Sequence, residues 1–462
     1  MDSKTKKITE LGEKPIGKLL LQYALPAIIA MTATSLYNMV DSIFIGHGVG
    51  ALAISGLALS FPLMNLAAAF GSLVGLGGAT IISLRLGQRD YKTAQKVLGN
   101  IVVLNLIIGI LFGGVVLSML DPILYFFGAS EATIGYAREY MQIILYGNVI
   151  THMFMGLSGV IRSAGHPKMA MVTTLCAVLL NIILDPIFIY LFDMGIQGAA
   201  FATILAQAVS LYWQIRILSN KKDVLHLKKG IFKLKNSIIK SILSIGMSPF
   251  LMNFAACIIV IFINKGLNEY GGDLNVGAYG IVNRLAFIFV MIVMGINQGM
   301  QPIAGYNYGA KNFSRVISVF KLSAIAATCI TSLGFIVGVF FPEAAVRLFT
   351  TDESLITLSV EGMRITFLLF PIIGFQMVSA HYFQSVGKAQ KAILLSLSRQ
   401  VLFLLPAIII LPQVFIHHTD LQPSWGIWCA IPFSDLLSFI LTTTLISIEL
   451  KKINSKPIST NE

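Results

Sequence analysis

The chain has 462 residues, 56% of them hydrophobic and only 12% charged, with a mean hydropathy of +0.81 and a formal net charge of +12. Soluble domains carry about 25% charged residues, so this composition excludes a soluble enzyme or a soluble nucleic-acid-binding domain. The expected class is an all-α integral membrane protein.

The opening MDSKTKKITELGEKPIGK has no apolar core followed by a small-residue cleavage site, so no removed signal peptide is expected and residues 1–15 read as a cytoplasmic tail. About twelve apolar runs follow, each long enough for a hydrocarbon core of roughly 30 Å. They lie at 16–45, 52–84, 94–119, 132–159, 168–192, 196–218, 240–268, 276–304, 315–341, 355–384, 390–413 and 425–449. The longest polar stretch, SNKKDVLHLKKGIFKLKNSIIK, divides six spans from six. The expected plan is a six-helix lobe over 16–218, a basic linker over 219–239, a second six-helix lobe over 240–450 and a tail over 451–462. In the linker, Val224, Leu225, Leu227, Ile231, Phe232 and Leu234 alternate with lysines, as in a segment lying on the inner leaflet; a solvated linker is the equal alternative.

With a cytoplasmic N-terminus, about 28 of the 33 Lys and Arg fall on the cytoplasmic side, leaving Arg138, Lys265, Arg284, Arg347 and Arg364 toward the other. The positive charge is therefore a topology signal, and both termini are expected inside. Cys176, Cys257, Cys329 and Cys429 each fall within a span, which argues against a disulfide framework.

The halves repeat. LGQRDYKTA matches YGAKNFSRV, FFGASEATIGYAREYMQI matches LFTTDESLITLSVEGMRI, RSAGHP matches QSVGKA, and Pro26 matches Pro249, at an offset near 222. Six spans per half is an even number, so the halves enter from the same side and are expected to be related by an axis along the membrane normal, with a site between or within them.

Three acids lie inside spans, where a charge costs about 2.5 to 3.5 kcal/mol on insertion scales and usually faces a cavity or a partner. They are Asp41 in YNMVDSIFIG, Asp185 in NIILDPIFIY and Asp435 in IPFSDLLSFI. Asp41 is about five residues, roughly 7.5 Å of helix, from the outer end of its span. Asp185 and Thr203 fall at similar depth, Asn181 shares a helical face with Asp185 at i, i+4, and Tyr37 bears the same relation to Asp41. A cluster of Asp41, Asn181, Asp185 and Thr203 is expected, with burial favouring proton uptake and the gathered oxygens favouring a hard cation. Two buried structural acids satisfied by Asn and Tyr are the bland alternative.

The repeat places Asn264 opposite Asp41, and Phe403 and Ala407 opposite Asn181 and Asp185, so the acidic site exists in one half only. Asp435 is open between binding a cationic substrate and pairing with Arg284 or His381; Arg284 also fits simple snorkelling. His152 and His381 read as satisfied structural histidines, and His417 and His418 as a weak metal signal. Pro26, Pro62, Pro186, Pro249, Pro302, Pro371, Pro406 and Pro432 read as prolines inside spans that free a carbonyl and permit bending.

The segment GMQPIAGYNYGAKN, residues 299–312, resembles a signature of multidrug and toxic compound extrusion (MATE) transporters, and the two-lobe plan of that family covers essentially the whole chain. The short loops and residues 432–435 are more similar to the DinF-like and MepA-like branches than to the NorM-like one. The DinF-like pattern has an aspartate in span 1, Asn-x-x-x-Asp in span 5 and a threonine in span 6, and all four positions match here. The acids of the NorM-like C-terminal site on spans 7 and 10 have no counterpart.

The resemblance implies a secondary antiporter, not an enzyme, in the cytoplasmic membrane of a prokaryote. It would export small amphipathic or cationic compounds in exchange for H+ or Na+, without another cofactor or nucleic acid, and function as a monomer. It further implies that ion binding at Asp41 and Asp185 alters the bend of span 1 at Pro26. No Walker-type phosphate loop occurs, so ATP hydrolysis is not expected. A lipid-linked oligosaccharide flippase is the alternative, disfavoured by the few intramembrane cations. An intramembrane aspartyl protease is remote, since Asp185 lies in Ile-Leu-Asp-Pro and not Gly-x-Gly-Asp.

Overall fold

The computed structural model describes residues 6–418 and 422–454. Within these the chain is helical, with no strand among the described residues. A short helix α1 (Lys6–Glu13) leads into α2 (Ile16–Gly48), and Gly50, at φ 113°, makes the turn into α3 (Ala51–Gly87) that a side chain would resist. Asp90 caps α4 (Tyr91–Ser118) by accepting from the Thr93 amide at 3.0 Å. After α5 (Leu120–Phe126), the next span is a broken pair, α6 (Ile134–Tyr146) and α7 (Asn148–Ser163), bent by 56°. α8 (Pro167–Pro186) begins on a proline, runs into a π turn at Ile187–Leu191, and is followed by α9 (Gly195–Leu218).

The second half opens with α10 (Asn236–Gly309), 74 residues interrupted at Gly272, where φ is 71° and ψ is −176°. Both arms of α10 reach one turn of α3. A Cβ on Gly77 would run into the Ile242 carbonyl of the first arm, while Gln301 of the second donates to Leu76 O at 3.2 Å and to Thr80 Oγ1 at 2.6 Å. The helix therefore folds back on itself as a hairpin. It is followed by α11 (Phe313–Phe340), α12 (Pro342–Val346), and the pair α13 (Glu353–Phe367) and α14 (Phe370–Ser385), bent by 53°. The last spans are α15 (Ala389–Leu397), continued through a π stretch at Ser398–Leu404 into α16 (Leu405–His418), and α17 (Ser424–Asn454).

Among the described residues, nine helices are long and apolar enough to cross a membrane and the two bent pairs add up to two more. With α10 folded back, the arrangement is consistent with twelve passes. Two of the expected intra-span prolines sit elsewhere: Pro371 opens α14, and Pro406 follows the π stretch at the start of α16. Pro412, not anticipated, lies inside α16.

Three apolar cores define the shape. One is built from Ile45 to Ala200 of the first half, a second from Ile259 to Ile431 of the second, and a third draws on both halves from Ile8 to Ile453. The shared core occupies the end that carries Arg85, Arg89, Lys92 and the basic linker; the separate cores occupy the opposite end. At the shared end, backbones meet at glycines: a Cβ on Gly246 would run into the Leu73 carbonyl, one on Gly309 into Leu84 and one on Gly87 into Tyr306. Small residues permit such approach where no hydrophobic force distinguishes helix from lipid. The halves are thus closed at the basic end and parted at the other.

The linker is neither an inner-leaflet helix nor a free tether. Residues 219–235 form a strap on the first half: Leu225 is 1% and Ile231 3% exposed, the Gln95 amide is hydrogen-bonded to the His226 carbonyl, and Asn100 bonds to Lys233 O and Lys235 N. Two linker apolar residues are buried in protein because Gln95 and Asn100 of α4 satisfy the strap's backbone.

Candidate functional site

α2 packs against α8, and α8 against α9, bringing three helices of the first half together. The i, i+4 spacing puts Asn181 and Asp185 on one face of α8, and the Asn181 Nδ2 donates to Asp185 Oδ1 at 3.0 Å and to Thr203 Oγ1 on α9 at 3.2 Å. Asp41 of α2 is 5% exposed, and its charge is felt by Asp185, Tyr37 and Tyr140. All four residues of the expected cluster are buried and grouped. Tyr190 in the π turn donates to Phe44 O at 3.0 Å, tying the end of α8 to α2.

The hydrogen bonding is incomplete in one respect. Asp41 Oδ1, Asn181 Oδ1 and Asp185 Oδ2 are buried without a partner among the described residues. Buried polar atoms are nearly always satisfied, so three unpaired oxygens in one cluster mark a place where a proton or cation completes the set. The donor set of two carboxylates, an amide oxygen and a hydroxyl fits either ion. Tyr37, Asn181 and Thr203 also line a cavity of about 350 Å³ within the first half, together with Phe61, Met64 and Met155. That volume is within the range of drug-sized pockets.

The other candidates separate from the cluster. Asn264 is half-buried on the first arm of α10, and Arg284 is exposed. Asp435 pairs with neither expected partner: Arg399 Nε donates to its Oδ1 at 2.5 Å, and Gln376 donates to its backbone oxygen at 2.7 Å. Arg399, counted from the sequence with the cytoplasmic charges, lies in the π stretch inside a span, where the ion pair compensates it. His381 is held by Met377 O and Asn297, and His152 by Ala67 O at 2.9 Å. No group of three or more His, Cys, Asp or Glu suited to a metal occurs among the described residues.

Three residues escaped the sequence reading. Tyr140 on α6 is 1% exposed beside the acids, and nothing in its run distinguished it. Arg162 and Gln298 line the cavity and bond to each other across the halves. The RSAGHP and QSVGKA match does set Arg162 against Gln384, an asymmetry of the kind seen at Asp41.

Two pseudo-symmetric helical lobes, closed at one end around a cavity with an internal acidic cluster, define a polytopic membrane transporter. The MatE family model matches residues 26–187 and again 245–409, one match in each half, and the chain belongs to that family. It is 26% identical over 94% of both chains to the multidrug export protein MepA of Staphylococcus haemolyticus, and 27% identical over 90% of both to MepA of Staphylococcus aureus. Among solved structures, the MATE multidrug transporter DinF-BH, in complex with a small-molecule ligand, is 38% identical, covering 96% of this chain and 98% of that one, with a TM-score of 0.87. An outward-facing multidrug resistance MATE transporter of the MOP superfamily superposes with a TM-score of 0.91 over 98% of this chain and 100% of that one; at 24% identity it speaks to the fold alone.

Proposed function

We propose that the chain is a secondary active multidrug exporter, working by alternating access in exchange for H+ or Na+. The observation that carries the coupling site is the set of unpaired buried oxygens on Asp41, Asn181 and Asp185 at the edge of a drug-sized cavity. The export role is supported by the MepA relatives, described as multidrug export proteins, and by DinF-BH, described as a multidrug transporter. The basic end is taken as cytoplasmic, with both termini inside a bacterial cytoplasmic membrane, and a single chain as the working unit. The closed basic end then makes this the outward-facing state.

Ion entry from outside reaches the acids, neutralises them, and removes the reason for α2 to keep its present course past Pro26. One charge crossing 100 mV supplies about 2.3 kcal/mol before any gradient is added. The test is dye efflux from proteoliposomes under a proton gradient alone and a sodium gradient alone. One gradient is expected to drive efflux; efflux unaffected by both would sink the antiport reading.

A further inference from the structure

Arg162, in the last turn of α7, is only 8% exposed, yet lines both the main cavity and a pocket of about 30 Å³ adjoining it. Its guanidinium donates from Nη1 to Gln298 Oε1 at 2.5 Å, and no acidic side chain among the described residues pairs with it. The half-buried Arg399 of the other half, by contrast, has Asp435. A buried arginine inside a membrane protein normally pairs with a carboxylate or serves a ligand, because leaving the charge uncompensated is costly.

Gln298 belongs to the second arm of α10, in the opposite half. Its Nε2 lies 3.1 Å from Met31 Sδ on α2, so one amide spans the seam between the halves and presents its oxygen to Arg162. Met31 and Asp41 are ten residues apart, about 15 Å of helix. Thr174, which lines both pockets with Arg162, is eleven residues from Asp185, about 16 Å. The cavity therefore has an acidic end and a basic end, separated by a length that one extended amphiphile can bridge.

We propose that Arg162 is the anion-recognising pole of the export cavity, taking a carboxylate of the exported compound in place of the Gln298 amide. This rests on the exporter reading above. A carboxylate engages the guanidinium fork with two charge-assisted hydrogen bonds, whereas the neutral amide oxygen gives one weaker contact, so the exchange is favourable in a site shielded from water. Displacing Gln298 also removes a bond between the halves at the closed end, which links occupancy to opening. A compound bearing both charges is gripped at both poles. A purely cationic one leaves Arg162 with Gln298.

The test uses a rhodamine dye with a free benzoate and the methyl ester of the same dye, with binding followed by fluorescence polarisation on the full chain in nanodiscs of zwitterionic lipid. In Arg162→Gln the acid-to-ester affinity ratio is expected to fall about 10-fold or more, the range for losing charged hydrogen bonds. Gln298→Glu keeps the arginine and gives it an internal carboxylate, and is expected to lower the same ratio. An unchanged ratio in both variants overturns the proposal. So does loss of the wild-type acid's advantage on adding chloride or anionic lipid, which would make an inorganic ion or a headgroup the occupant. Arg162-dependent acid binding without efflux of either dye would sink the exporter reading while upholding the binding role of Arg162.

Discussion

In the acidic cluster, the Asn181 amide directs its Nδ2 to Asp185 and Thr203, which leaves its own oxygen and one oxygen on each acid to an ion. Asp41→Asn and Asp185→Asn preserve shape but remove the charge that the ion answers, so gradient-driven efflux is expected to fall about 10-fold or more in each, in line with typical coupling energies; normal efflux in both would remove the cluster from the mechanism. Asn181→Ala strands Asp185 Oδ1 and Thr203 Oγ1 and is expected to cost about 1 to 3 kcal/mol, visible as a lower unfolding temperature in detergent. Arg399 and Asp435 have a different role: they compensate each other. Asp435→Leu or Arg399→Leu alone is expected to cost about 3 to 5 kcal/mol, and the double change to recover much of it. A double mutant as unstable as the sum of the singles would mean that the pair is not a closed unit.

At the scale of helices, proline and the π register place the chemistry. Pro26 has no N–H to give the Gln22 carbonyl, so α2 keeps a weak point about four turns below Asp41. Pro186 directly follows Asp185 and begins the π turn that brings Tyr190 onto α2, a distortion of the kind that collects at functional sites. Pro26→Ala is expected to leave folding intact and slow transport, seen as reduced turnover with dye affinity nearly unchanged; wild-type turnover would show that α2 does not hinge there. Asp41, Asn181, Asp185 and Thr203 were legible as a cluster because i, i+4 spacing and equal depth are local facts. The π stretch that carries Arg399 was not, because apolar periodicity does not distinguish an α from a π turn and tertiary packing decides it. For the same reason Arg399 read as a cytoplasmic cation although it lies inside a span.

Across the whole molecule, the duplication was legible from matched segments and an offset near 222, while the seam between the copies was not. Gln298 meets Arg162, and Gln301 meets Thr80, over separations that no local pattern encodes. Glycines make that seam close enough to matter. Ser83 on α3 and Gly305 on the second arm of α10 face each other there: a Cβ on Gly305 would sit 2.9 Å from that of Ser83, near enough that a small shift admits a disulfide. If transport requires the basic end to part, joining these two positions must stop it without disturbing the cavity above. In a background lacking the four native cysteines, Ser83→Cys with Gly305→Cys is expected to bind dye from the open side when oxidised, to lose efflux, and to regain efflux on reduction. Efflux that persists with the disulfide intact would mean that the halves need not separate at this end, and that the closed end seen here is a fixed wall.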